Sequence, residues 1–379
     1  MIRLTIPSIE EDDLKAARDV LESGFLVQGT RVAEFENSIA SYVGVKHVIA
    51  VSNCTAALHL ALLALGVHPG DLVLVTTYSW VATANVIELC GAQPVFVDIQ
   101  PDTFNMDPER LVATLSRLMA TTETARRVKA ILPVHTFGQM ADMTAIARIA
   151  EQYGIPVIED AACALGSKWG KCQAGSWGVM GCFSFHPRKA ITTGEGGAIT
   201  TNDDQLARKL RALRNHGLDP EAPAPEFIMP GFNYRMTEFQ ASFGTSQMQK
   251  LDRIITARRR LAHQYDILLE NDPVLVPAVP SQSFHVYQSY VTLLPEEAAP
   301  RRTEIIRKLK EQSIETNIGT WHMPLTTYFR TRYGYRVGDF SISDRVFDRA
   351  LTLPLHEFLT EAEQRTVAQK LTQAIKALT

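Results

Sequence analysis

Phe183-Ser184-Phe185-His186-Pro187-Arg188-Lys189, with Thr192-Thr193-Gly194-Glu195-Gly196-Gly197 just beyond it, is the stretch on which the reading of this chain turns. Upstream of it stands Glu159-Asp160-Ala161-Ala162. A lysine taken alone is ordinarily a solvated surface charge. Here an aspartate, a hydroxyl and an amine follow one another as Asp160, Ser184 and Lys189, and the lysine lies between two apolar runs that read as strands, Cys182 to Phe185 and Ala198 to Thr201.

Further out, short apolar, β-branched runs alternate with longer amphipathic ones from residue 47 to 201. The expected strands are His47 to Val51, Leu72 to Thr76, Pro94 to Val97, Val128 to Val134 and Pro156 to Glu159, followed by the two that flank the lysine. Helices are expected at Thr55 to Leu65, Val81 to Cys90, Pro108 to Met119 and Met140 to Tyr153, several closed by a glycine such as Gly66, Gly91 or Gly154. Such alternation predicts an α/β fold with a mainly parallel or mixed sheet.

From Thr237 to Glu270 apolar residues recur at helical spacing with no proline, which predicts one long helix leading out of the large domain. Beyond it, Gln288 to Leu294 reads as a strand, Thr303 to Gln312 as a helix and Ile314 to Thr320 as a strand, a smaller α+β unit. Asp219 to Pro230, with four prolines, reads as an ordered loop, and no internal repeat or low-complexity tract is present.

With 379 residues, 46% of them hydrophobic, the chain can build a sizeable core and about two domains. A net charge of -3 with both signs intermixed leaves no basic stripe for nucleic acid and no polybasic segment for a membrane. The start Met1-Ile2-Arg3-Leu4-Thr5-Ile6-Pro7 lacks a charged end followed by an apolar run, and no stretch is apolar for the roughly 20 residues a membrane helix needs, so a soluble, cytoplasmic protein is expected. Five cysteines, Cys54, Cys90, Cys163, Cys172 and Cys182, with no Cys-x-x-Cys pair, suggest neither a disulfide framework nor a metal site.

The chemistry explains each residue type around Lys189. An amine can form a Schiff base, an acid can keep a pyridinium nitrogen protonated, and hydroxyl and amide donors can hold a phosphate, which together are the demands of pyridoxal phosphate (PLP). On these residues the chain resembles the DegT/DnrJ/EryC1/StrS family of sugar aminotransferases, from Ser23-Gly24-Phe25-Leu26-Val27-Gln28-Gly29 to Leu353-Pro354-Leu355. The resemblance implies an aspartate-aminotransferase-like (fold type I) large domain over residues 1–245, with a mixed, mainly parallel sheet, and a smaller C-terminal α+β domain over 246–379.

It also implies roles. Lys189 is the residue expected to bind the cofactor and to act as the general acid and base. Asp160, after the strand residues Val157-Ile158-Glu159, is expected at the carboxyl end of a strand, facing the ring nitrogen; a turn or helix-cap aspartate is the competing reading. Asn53-Cys54-Thr55-Ala56-Ala57 resembles the family's Gly-Thr-Ala-Ala turn, with Cys54 where glycine is frequent, so the Thr55 and Ala56 amides and the Thr55 hydroxyl are phosphate candidates beside the plain alternative of a helix cap. Ser184 resembles the family serine at the phosphate, against a strand serine facing solvent. Trp80, in Tyr78-Ser79-Trp80-Val81-Ala82-Thr83, matches the family aromatic that stacks on the ring, against plain core packing. Asn233, in Gly231-Phe232-Asn233-Tyr234-Arg235, resembles the asparagine that reaches the neighbouring subunit's phosphate, implying a homodimer with a shared site; capping the long helix is its other use.

Glu195, His216, His285 and His322 fall in polar family blocks on the substrate side, with surface polarity as the alternative, while His135 and His186 read as walls or structural groups. Family relatives with histidine in place of the lysine resemble dehydratases, so Lys189 favours amino transfer. The block from His186 to Gly197 is similar to that of enzymes aminating C4 of a nucleotide-linked 4-keto-6-deoxy sugar, with L-glutamate as donor and the cofactor cycling through pyridoxamine phosphate (PMP). A C3 aminotransferase of the same family, a PLP-dependent lyase or dehydratase, and a PLP-binding regulator are the rival readings.

Overall fold

The computed structural model describes residues 1–378. Its central strands are β1 (His47–Val51), β2 (Leu72–Thr76), β3 (Gln93–Val97), β4 (Val128–Leu132), β5 (Ile158–Asp160), β6 (Met180–Ser184) and β7 (Gly197–Thr201). Strands β3, β2 and β4 pair in parallel, as do β5 and β6, while β7 runs antiparallel to both β6 and β1. Parallel bridges Ile131 to Val157 and Val134 to Asp160 join the two groups, giving the order β3-β2-β4-β5-β6-β7-β1. Alternate residues face opposite sides of this sheet. Leu72 and Leu74 pack with Phe35, Ile39, Ile146 and Phe183 on one face, whereas Val73 and Val75 pack with Ile49, Leu60, Cys182 and Ile199 on the other.

Helices cover both faces: α1 (Glu11–Ser23), α2 (Thr30–Val43), α3 (Cys54–Leu65), α4 (Ala82–Leu89), α5 (Pro108–Met119), α6 (Met143–Tyr153) and α7 (Asp204–Arg214). The mixed, mainly parallel sheet and the helix positions agree with the expectation, with ends moved by a few residues. One shift matters for chemistry. The strand expected over Pro156 to Glu159 runs instead from Ile158 to Asp160, because it pairs with Met180, Gly181 and Cys182, and Asp160 is therefore its last residue.

The single long helix expected over Thr237 to Glu270 is two, α8 (Glu238–Met248) and α9 (Leu251–Leu268). No glycine or proline marks the break. Gln247 donates to Ser8 O at 2.6 Å and to Asp13 Oδ2 at 2.9 Å, and Lys250 pairs with the same buried carboxylate, so contacts with the N-terminal segment set the interruption. The expected division at 245/246 falls within α8. Helix α9 places Leu251, Ile254 and Ile255 in the core with Phe35, and Leu261, Ala262 and Tyr265 in a separate core with Tyr290, Leu309 and Leu371.

That C-terminal core lies among α9, α10 (Arg302–Glu311), α11 (Glu361–Lys376) and a small antiparallel sheet. In the sheet, β10 (Ala350–Leu353) pairs with β8 (Tyr290–Leu293) and with β9 (Asn317–Ile318). The strand expected over Ile314 to Thr320 shrinks to the two residues of β9 that meet Thr352 and Leu351. The cysteines are all free, and among the described residues no helix is long and apolar enough to cross a membrane.

Candidate active site

Asp160 ends β5 at the centre of the sheet, 3% exposed. Burial pushes its carboxyl above the usual range, while the Thr83 hydroxyl donating to Oδ2 at 2.7 Å and the Ala162 N–H donating to Oδ1 at 3.2 Å pull the other way. Thr83 was not singled out from the sequence. It lies in the first turn of α4, and its own amide donates to Trp80 O, so one short segment carries both the tryptophan and the group that orients the aspartate. Trp80 itself is 62% exposed at the start of that segment, free of the core packing that was its other reading.

Lys189 stands on the loop between β6 and β7. This loop is closed by Lys189 N donating to His186 O and by the Thr193 amide and Thr192 hydroxyl donating to Phe185 O. The residue is half-buried, and its Nζ donates to Cys163 Sγ at 3.1 Å. Burial opposes the ammonium form, but Cys163, then Cys54 and Asp160, outweigh it and hold Lys189 above the ordinary lysine range. Amine and carboxylate thus share one field across the end of the sheet.

Ser184 is the last residue of β6 and pairs with Gly197 at the start of β7, which in turn pairs with Val51 at the end of β1. A β-carbon on Gly197 would lie 2.5 Å from the Asn53 carbonyl carbon and 2.6 Å from Cys54 N. Only glycine lets β7 approach the first turn of α3, and this approach brings Ser184 and that turn to one corner. Asn53 caps α3, its Oδ1 accepting from Ala56 N at 2.8 Å, so the Ala56 amide is engaged within the chain. The Thr55 amide has no acceptor among the described residues, and its residue is exposed. Cys54 takes the place where glycine is frequent without positive φ, because it begins the helix.

Beneath Asp160 lies a fully buried pair. Glu159 accepts His135 Nε2 at 2.8 Å and the amides of Gly175, Trp177 and Gly178 at 2.9, 2.8 and 2.8 Å. With Ala141 N donating to its Nδ1, His135 is a structural group. The remaining polar candidates disperse. Glu195 is exposed, 4.0 Å from His186 Nε2, and its carbonyl braces the loop by accepting Thr193 Oγ1 and Gln240 Nε2. His285 is buried and stacked on Tyr287 at 3.9 Å, accepting Tyr287 N, and burial pushes its pKa down to about 3. His322 is buried among Phe340 and Phe347 with Nδ1 3.3 Å from Asp344; burial pushes its pKa down, against the pull of Asp344. His216 and Asn233 meet instead on an exposed surface, where His216 N donates to Phe232 O and Asn215 bridges Asn233. Thr237 caps α8, which removes the capping reading of Asn233.

A polar cleft adjoins the lysine loop, lined by Arg188, Thr5, Gln288, Ser289, Asn317 and Thr352. Sequence reasoning missed it because its walls come from distant segments. Taken together, a half-buried amine, a buried carboxylate, a hydroxyl and an open amide at a helix N-terminus, drawn to one corner by the close approach at Gly197, are the donor set a phosphorylated pyridine needs.

The model of the DegT/DnrJ/EryC1/StrS aminotransferase family matches residues 7–372. GDP-perosamine synthase of Caulobacter vibrioides is 40% identical over 353 residues, which cover 92% of this chain and 91% of that one. Among solved structures, the aminotransferase TlmJ of Streptoalloteichus hindustanus superposes with a TM-score of 0.90 at 30% identity over the whole of both chains. NtdA of Bacillus subtilis, solved with bound cofactor PMP, superposes with a TM-score of 0.84 at 31% identity, covering 97% of this chain and 82% of that one. The chain belongs to the DegT/DnrJ/EryC1/StrS aminotransferase family of pyridoxal phosphate enzymes.

Proposed function

We propose that this enzyme moves an amino group from L-glutamate to C4 of a nucleotide-linked 4-keto-6-deoxy sugar, in amino-sugar and polysaccharide biosynthesis. The observation that carries the reading is Lys189 held in the field of Asp160, in a chain 40% identical to a GDP-perosamine synthase over 92% of its length. Bound PLP supplies the electron sink through which an amino group can be taken up and handed on.

Within that site Lys189 binds the cofactor and carries the proton at Nζ. Asp160, oriented by Thr83, keeps the ring nitrogen protonated. Ser184 and the Thr55 amide hold the phosphate, with Asn53 fixing the helix end by occupying the Ala56 amide. Trp80, exposed beside Thr83, offers a flat face to the ring. The cleft beside Arg188 receives the sugar, and Glu195 braces the lysine loop.

We also assign the chain two units, a large one over 1–245 and a smaller one over 246–379, and a homodimer in which Asn233 completes the partner's phosphate site. Phe25 and Val27, 79% and 68% exposed, and Phe227, 66% exposed, support a surface covered by a second copy.

Incubating the PLP-loaded protein with glutamate should bleach the visible absorbance and form 2-oxoglutarate; no 2-oxoglutarate would sink the donor assignment. With a panel of nucleotide-linked keto sugars, proton NMR of the product should place nitrogen at C4. Nitrogen at C3 would select the other branch of the family.

A further inference from the structure

The contact between Lys189 and Cys163 is not used by the function proposed above. Nζ donates to Sγ at 3.1 Å, and Cys163 lies three residues beyond Asp160 on the loop that leaves β5. The charged and titratable groups facing the amine are Cys163, Cys54 and Asp160, with His186 on its own loop. Of these only Cys163 is hydrogen-bonded to it. Asp160 is committed to Thr83 and to the Ala162 amide, and Cys54 is buried in the first turn of α3.

A thiol is a weak acceptor for a neutral amine and a much better one when charge is shared between sulfur and nitrogen. We propose that Cys163 is the resting partner of Lys189: whenever the ε-amine is free it docks on Cys163 Sγ, which fixes where the amine points and how readily it releases its proton. Burial alone favours the neutral amine. Cys163 leads the groups that oppose burial here, and the balance holds the lysine above its ordinary range. The consequence for turnover rests on the reading of Lys189 as the cofactor lysine, because an amine that repeatedly gives up and recovers its bond needs a defined place to wait. The pairing itself does not rest on that reading.

The test is competitive acetylation of the full-length, cofactor-stripped chain with acetic anhydride near pH 8, read by peptide mass spectrometry. The rate at Lys189 is taken relative to the exposed Lys171. In the wild type Lys189 should react more slowly than Lys171. In Cys163→Ala, burial is left with less opposition, so the ratio should rise about tenfold. Cys163→Ser, which keeps an acceptor but no acidic proton, should move in the same direction and carries the comparison if the alanine variant is poorly folded. An unchanged ratio in both variants overturns the pairing. Borohydride reduction of the PLP-loaded wild type should leave the pyridoxyl mass on Lys189. Its absence there would overturn the functional reading and leave the acetylation result to judge the pair alone.

Discussion

The Thr83 hydroxyl reaches Asp160 Oδ2 at 2.7 Å and sits 3.0 Å from Ser79 Oγ, so a threonine at the start of one helix fixes the carboxylate at the end of a distant strand. A hydrogen bond to a buried charged group contributes about 2 kcal/mol, roughly thirtyfold in an equilibrium or rate. Thr83→Val should weaken cofactor binding and lower kcat/KM by about that factor with little change in thermal midpoint, and Thr83→Ser should restore most of it. Full turnover by the valine variant would show that Asp160 needs no such guide.

At Gly197 the space for a side chain is already filled by the Asn53–Cys54 backbone, 2.5 to 2.6 Å from any added β-carbon. Gly197→Ala should push β7 away from the first turn of α3 and open the corner between Ser184 and Thr55. Overpacking of this kind costs about 1–3 kcal/mol. Calorimetry should show that loss, and a PLP titration should show a larger weakening than the stability change predicts. Wild-type affinity would separate this corner from the phosphate.

Glu159 binds three backbone amides and His135, all inside the protein. Glu159→Gln turns one acceptor into a donor facing N–H groups, and a buried network broken on one side costs about 3 kcal/mol. Urea unfolding should show the midpoint falling with an unchanged slope. A loss below about 1 kcal/mol would mean that the turn over Gly175 to Gly178 is held by other contacts.

His285 gives the pH dependence a definite sign. Its folded-state pKa is pushed down to about 3 by burial, so below its unfolded value the unfolded chain takes a proton that the folded chain refuses. Its contribution is therefore intact above about pH 6.5 and is lost progressively as pH falls toward 3. Between about pH 6.5 and pH 5 the wild type should lose about 2 kcal/mol more than His285→Asn, by urea unfolding at both values. Parallel losses in the two proteins would place the titration elsewhere.

Lys189, Asp160, Ser184 and the start of α3, which the structure brings to one end of the sheet, could be singled out from the sequence because each lies in a local motif. Thr83 could not, since it acts on a residue 77 positions away and nothing local distinguishes it from other threonines. Cys163 is invisible for a similar reason: its meaning is its distance from Nζ. The break between α8 and α9 also left no local mark, because Asp13 on α1 creates it from across the fold. His285 and His322 misled in the opposite direction. Both fall in polar family blocks expected on the substrate side, yet stacking on Tyr287 and enclosure by Phe340 and Phe347 leave both rings buried.

Helix α9 carries one further consequence. Its 18 residues span about 27 Å, with one end set in the core that holds Phe35 and the other in the core that holds Tyr290. At its middle Arg258 is fastened to the carbonyls of Tyr287, Gln288 and Leu355. Near the first end Ile255 lies against Gly166, on the segment that continues from Asp160 and Cys163. The helix is thus a single rod set into both cores, and its Ile255 packs against the chain six residues beyond Asp160.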